Sequence, residues 1–371
     1  MFINTGLITA SDNYLELVSV IAHELSHMIG FHVSRTKSEI ARLSKKALPV
    51  YMLGIFGALA GSADTAIASM MVGTASVEGG YLSYSRTQES SADQGAIRLM
   101  CQNAINARGL ISFFEKLEKA ESSLINFSPY NQTHPMTKER YKFAKNSLAK
   151  YNGCNYEKDP ILEKRFNLLK AKLIGYTYPP REVKALYDET SIEGRYALSV
   201  SSHYNEFSDK PIVLMKQLIN EDTDNPFFYE LLAEILFTRN DFNGAIDKQK
   251  LSLKYFQGEN DLLYMLMGNY LKQDKKFRDE AIKYIKSSLR INNRNTYSWF
   301  LLADLYSEYD LPKAHYATAE RYFLLGDYPM SYKFTVKSLK EIEKNTPEWY
   351  RANDLLNIMT RKKEEEKESE N

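Results

Sequence analysis

Residues 21–30 read Ile-Ala-His-Glu-Leu-Ser-His-Met-Ile-Gly, and within them His23-Glu24-Leu25-Ser26-His27 is an H-E-x-x-H arrangement in a stretch of helical spacing. Residues four apart on a helix share a face, with Cβ atoms about 5–6 Å apart. The imidazoles of His23 and His27 can therefore reach one Zn²⁺ at about 2.0–2.1 Å each. Glu24 is one position round from His23, which makes it a poor ligand and a good acceptor for a proton from water beside the metal. The helix needed to hold these groups has its signals in place. Asp12 and Asn13 offer N-cap side chains, Leu15, Leu17, Val18, Val20, Ile21, Leu25, Met28 and Ile29 recur at helical spacing, and Gly30 supplies a stop. The bland alternative is two ordinary surface histidines, which leaves two imidazoles and a carboxylate at ligand spacing on an apolar helix unexplained.

Catalytic zinc usually takes three protein ligands and keeps one position open. Gln88-Glu89-Ser90-Ser91-Ala92-Asp93 opens a second helical stretch, Ser90 to Ala107, in which Glu89 and Asp93 share a face. Glu89 is the candidate third ligand. Asp93 is placed to accept the free ring N–H of a ligand histidine and so fix its tautomer. Alone, either carboxylate would read as a solvated residue favoured at a helix N-terminus by the dipole; the pairing with the earlier motif favours the metal.

H-E-x-x-H followed, after an apolar segment, by E-x-x-A-D over Glu89 to Asp93 resembles the gluzincin metallopeptidases of the HtpX and CaaX-prenyl-protease type. Two further segments resemble that family: Phe2 to Ile8 its edge strand, and Thr133-His134-Pro135 with Arg140 its H-P-x(4)-R segment. The chain is most similar to the soluble bacterial subfamily with a C-terminal tetratricopeptide tail. The resemblance implies a zincin-like α+β metallopeptidase domain with one Zn²⁺ per chain on His23, His27 and Glu89, supported by Asp93, with Glu24 activating water. It also implies an edge strand that takes up an extended substrate by β-augmentation. Arg140, whose guanidinium keeps its charge at working pH, would bind the developing oxyanion. His134 would approach the zinc and hold the enzyme shut, or else be a turn histidine before Pro135.

The implied function is a zinc-dependent endopeptidase of the periplasm acting in quality control of misassembled outer-membrane proteins. Its partners would be unfolded or misassembled protein substrates and, through the tail, the outer-membrane β-barrel assembly machinery. A competing reading is a repeat-based adaptor or chaperone whose metal site is gated or vestigial. The intact Glu24 favours the enzyme, because a scaffold has no need of a carboxylate beside two histidines.

The elements that position these residues are mostly helical. A length of 371 residues suggests two to three domains: a metallopeptidase domain over 1–155, a linker helix and proline-containing break over 156–190, an α-solenoid over 191–360 and a disordered charged tail over 361–371. Ala47 to Gly73 lies between the zinc motifs. Its apolar run over 47–60 is shorter than the ~20 residues of a spanning helix and is followed by Asp64, so no transmembrane anchor is expected. The segment reads as two small-residue-rich helices that cover the cleft, touch a membrane surface peripherally, or simply pack in the core.

Beyond Cys154, Pro160 to Leu173 reads as one amphipathic helix and Pro179-Pro180 as a break. Ala233, Gly268 and Ala303 then recur every thirty-five residues, with Ala245 and Ala281 in the paired helices. Small residues at these places let the helices of a tetratricopeptide unit approach closely. Units are expected at Glu193–Asn220, Pro226–Phe256, Asp261–Asn292, Tyr297–His315 and Glu320–Lys344, with a capping helix from Pro347 to Thr360. The many aromatic side chains either fill the solenoid core or line a peptide groove.

With 48 basic and 47 acidic side chains the net charge is +1, and there is no basic stripe of the kind nucleic acid requires. Cys101 and Cys154 pair or stay apart with equal plausibility. Met1 to Ala10 lacks the charged and apolar regions of a signal peptide, so the start is expected either to lie upstream or to belong to a truncated form.

Overall fold

The computed structural model describes residues 3–30, 42, 86–122, 138–151 and 154–369, and no strand occurs among them. The chain divides into two units, Met1–Ile174 and Gly175–Asn371. The expected edge strand over Phe2 to Ile8 is corrected at the outset, because Thr5–Ala10 is a helix, α1. Its caps explain it. The Asn4 side chain accepts from the Gly6 N–H, and the Ser11 hydroxyl donates to the Leu7 carbonyl. With no strand beside it among the described residues, this segment satisfies its backbone locally, as only a helix can.

Helix α2, Tyr14–Ile29, starts where the Asn13 side chain accepts from the N–H groups of Leu15 and Glu16, and ends at Gly30. Helix α3 covers 86–102. It stops short of the expected Ala107, because Ala104 turns into the left-handed region at φ 55. The Asn106 side chain then accepts from the Arg108 N–H at the head of α4, Arg108–Ser122. Helix α5 is Lys138–Lys150. Val20 and Ala22 of α2, Ala96, Ile97 and Met100 of α3, Leu110, Phe113 and Phe114 of α4, and Ala144 and Leu148 of α5 form one core.

Two glycines set how closely these helices meet. A Cβ on Gly95 of α3 would lie 2.6 Å from Ser26 Oγ, and one on Gly109 of α4 would lie 2.3 Å from the Leu15 carbonyl oxygen. Cys101 and Cys154 form a disulfide with Cα atoms 5.6 Å apart, within the ordinary range. Helix α6, Pro160–Thr177, is longer than the expected Pro160–Leu173. Its Lys170 donates to the Ser11 carbonyl.

The second unit is built of antiparallel helix pairs: α7, Pro180–Leu186; α8, Ile192–Asn205, with α9, Lys210–Glu221; α10, Pro226–Thr238, with α11, Phe242–Tyr255; α12, Asp261–Leu271, with α13, Arg278–Ile291; α14, Thr296–Tyr306, with α15, Leu311–Leu324; and α16, Tyr328–Leu339, followed by α17, Pro347–Ser369. The first three expected units match these pairs closely. The last two regroup. Asp310 caps α15 by accepting from the Lys313 N–H, with Pro312 in its first turn, so the helix that begins at Leu311-Pro312 runs on past His315, where the expected unit ended. Helix α17 runs on to Ser369, so residues 361–369, expected as a disordered tail, are helical.

Most of the small residues act as anticipated, though Ala303 is only partly buried. Ala233, Ala245 and Ala281 are fully buried, and a Cβ on Gly268 would lie 2.5 Å from Ile285 Cδ1 and 3.1 Å from the Ala281 carbonyl oxygen. No described helix is long and apolar enough to cross a membrane.

Candidate metal centre

Helices α2 and α3 bring His23, His27 and Glu89 together, with one potential ligand atom from each lying within 4.8 Å of the other two. The two Nε2 atoms are 3.0 Å apart. Glu89 Oε1 is 3.1 Å from His27 Nε2, and Glu89 Oε2 is 3.4 Å from His23 Nε2. Two imidazole nitrogens and a carboxylate directed at one point form the donor set of a catalytic zinc site, so these residues fit that metal. Glu24, on the same turn of α2, is half-buried. The register between the helices depends on Gly95, because Ser26, between the two histidines, occupies the space where a Cβ would be. The sequence reading passed over this pair. The available signal was a glycine inside an otherwise strong helical stretch, which commonly marks a close approach.

Behind the ligands lies a buried charge network. His23 Nδ1 is 2.9 Å from Asp93 Oδ1, the contact that orients a ligand imidazole. Arg140 takes Asp93 with both arms, its Nε donating to Oδ2 and its Nη2 to Oδ1, each at 2.9 Å. Its Nη1 lies 3.1 Å from Glu89 Oε2. Arg140 is 4 % exposed and Asp93 is fully buried. Burial alone would pull the His23 pKa down, but the carboxylates of Asp93 and Glu89 outweigh it and push it up to about 9. For Asp93, burial works against the charge, while bonds to His23 and Arg140 prevail and hold the carboxyl below the usual carboxylate range.

This placement differs from the expected oxyanion role of Arg140. Its guanidinium is engaged by Asp93 and by Glu89, the candidate third ligand, where a substrate-facing donor would need a free arm. His134, expected as a gating ligand, and Ala47 to Gly73, expected as a cover or membrane contact, lie outside the described residues.

Residues 1–148 match the description "Peptidase family M48". A protein of Vibrio cholerae serotype O1 is 26 % identical over 322 residues, which are 81 % of this chain and 63 % of that one. Two beta-barrel assembly-enhancing proteases are also similar. That of Yersinia pestis is 23 % identical over 81 % of this chain and 62 % of its own length, and that of Escherichia coli K12 is 23 % identical over 67 % and 52 %. The chain thus spans between about half and three-fifths of the length of these relatives. The crystal structure of the yeast Tom70 covers 82 % of this chain and 61 % of its own at 13 % identity and a TM-score of 0.34, too slight a likeness to bear on the fold. The H-E-x-x-H helix and the carboxylate helix both lie within residues 1–148, the span that matches peptidase family M48.

Proposed function

We propose that the chain is a zinc-dependent endopeptidase whose second unit recruits or positions protein substrates. The observation that carries this reading is the convergence of His23, His27 and Glu89 with Glu24 on the same helical turn. A zinc ion held by those three side chains would supply Lewis acidity, acidifying water and polarising the scissile carbonyl. The chain's own residues do the rest. Glu24 takes a proton from the attacking water as the C–O bond forms, and returns it to the amide nitrogen as the C–N bond breaks, so that a carboxylic acid and an amine leave. Asp93 holds His23 in the tautomer that leaves Nε2 free as a donor. Arg140 acts as a positioning residue, neutralising the charge that Glu89 and Asp93 would otherwise bury uncompensated.

Two observations support a place in the bacterial periplasm with misassembled outer-membrane proteins as substrates: the relatives' printed name, beta-barrel assembly-enhancing protease, and the Cys101–Cys154 disulfide, which persists in oxidising compartments. The β-barrel assembly machinery is the corresponding partner for the repeat unit.

Glu24→Gln tests the division of roles. The variant should retain one zinc per chain by elemental analysis while losing hydrolysis of an unfolded protein, whereas His23→Ala and Glu89→Ala should lose both. Metal loss in Glu24→Gln equal to that in His23→Ala would end the reading of Glu24 as base. A wild-type protein that holds zinc yet cleaves no unfolded substrate would favour the adaptor reading.

A further inference from the structure

Four residues apart on α10, Glu230 and Glu234 share a helix face, and Glu230 is 9 % exposed. Tyrosines from neighbouring helices gather round them. Tyr204, at the end of α8, donates its hydroxyl to Glu234 Oε1, and the ring of Tyr176 lies 5.3 Å from that of Tyr204. Tyr270 of α12 meets Phe237, one turn beyond Glu234, with ring centroids 4.7 Å apart. The hydroxyls of Tyr176, Tyr196 and Tyr270 are all pushed up, first by burial and then by the field of the two glutamates. Tyr176 and Tyr204 are 45 % and 54 % exposed, so the cluster opens to solvent on their side.

Two features here go beyond what holding the helix pairs together requires. Several carboxylates elsewhere in the unit are neutralised across helices: Glu221 by Arg195, Asp304 by Lys272, Glu308 by Lys275 and Arg278, and Glu320 by Arg351. Glu234 accepts from Tyr204 and joins no ion pair among the described residues. The hydroxyls of Tyr196 and Tyr270 are likewise buried without a hydrogen-bond partner, in side chains 2 % and 1 % exposed. An unmade buried hydrogen bond is costly, and phenylalanine would fill the same space without that cost.

We infer that this face is a binding site for a cationic side chain, arginine or lysine, carried by an extended polypeptide segment. Glu234 supplies the counter-charge, the tyrosine rings form walls that attract a cation through their π faces, and the hydroxyl oxygens accept from its N–H groups. A polypeptide is the fitting source because stacked helix pairs present an extended surface. The net charge of +1 gives the molecule no general attraction for cations, so selection must be local. The inference rests on reading the second unit as the substrate-recruiting part, and it is independent of the zinc chemistry.

The test uses the full chain carrying Glu24→Gln, titrated calorimetrically with a blocked alanine pentapeptide bearing one central arginine. Saturable binding is expected, with affinity about tenfold weaker for Glu234→Gln and lost when norleucine replaces the arginine. Tyr196→Phe, which keeps the ring, should weaken binding less than Glu234→Gln and leave the thermal transition intact. It serves as the second variant should Glu234→Gln fail to fold. Zinc-stripped protein should bind equally, so a failed zinc reading would leave this result standing. No binding at millimolar peptide, equal binding of the norleucine peptide, or unchanged affinity in both variants would overturn the site. Spermidine binding as tightly as the peptide would overturn the polypeptide assignment.

Discussion

The two units bury polar groups in different ways. In the first, charge is concentrated: His23, Glu89, Asp93 and Arg140 are all nearly or fully buried and bonded to one another, and Glu16 is buried with Lys116 and Ser112 as partners. In the second, the fully buried polar groups are mostly hydroxyls, such as those of Ser199, Ser288, Ser298, Ser331 and Ser338. Each bonds across one contact between successive helices: Ser199 to the Pro211 carbonyl, Ser288 with Ser298, Ser331 to the Ala319 carbonyl, Ser338 to the Pro312 carbonyl. A network of charges is stable only as a whole, because removing one member strands the others. Independent hydroxyl bonds fail one at a time, at modest cost. The first unit is therefore specialised around one point, and the second has a stability that is roughly additive along its length.

The strongest way to break this contrast is Arg140→Ala. It leaves Asp93 and Glu89 buried without their cation and should destabilise the zinc-free first unit by about 3–5 kcal/mol, with no shift in the unfolding of the second unit. Urea denaturation followed by near-ultraviolet circular dichroism resolves the two; a loss shared equally between them would show that the network is not local. The pH dependence comes next. The folded pKa of His23 is raised to about 9 from an unfolded value of about 6.5. Its contribution to zinc-free stability is therefore fully present below pH 6.5 and is lost as pH rises through about 9, on the order of 3 kcal/mol in all. His23→Gln should flatten that slope, and a slope of opposite sign would mean that burial outweighs the carboxylates.

A matched pair of substitutions sharpens the comparison further. Gly95→Ala and Gly268→Ala each push a methyl group into a close helix contact, against Ser26 and Ile285 respectively, at a cost of about 1–3 kcal/mol each. Only Gly95→Ala should also weaken zinc binding, since it separates the helices that carry the ligands. Equal zinc affinity in the two variants would sever the link between helix spacing and the site. The smallest effect belongs to Tyr196→Phe, which deletes a partnerless buried hydroxyl and should leave the melting temperature unchanged or raise stability by up to about 1 kcal/mol. A marked loss would show that the hydroxyl is paired in solution.

Much of the site could be read in the sequence because its geometry is local. His23 and His27, like Glu89 and Asp93, sit four apart on their helices, and that spacing fixes a shared face whatever the rest of the chain does. The role of Arg140 could not be read this way. Which carboxylates it meets depends on how α5 packs against helices forty-seven residues earlier, and sequence spacing is silent on that. The strand reading of Phe2 to Ile8 followed the family resemblance and discounted Asn4, whose side chain caps a helix there. In the repeats, the thirty-five-residue recurrence of small residues was visible because each marks one helix contact. The error after Tyr297 lay in ending that unit at His315, when Asp310 caps and Pro312 opens a helix that runs on to Leu324.

The disulfide turns part of the first unit into a covalent ring. Cys101 lies in the last turn of the helix that carries Glu89 and Asp93, and Cys154 follows the helix that carries Arg140, so a bridge spanning 53 residues closes a ring that contains Arg140 and is anchored on the carboxylate helix. Closing a loop of that length takes about 4 kcal/mol of conformational freedom from the unfolded chain. The redox state of two cysteines thereby becomes a term in the folding stability of the first unit, and the same polypeptide would be less stable wherever glutathione keeps them reduced.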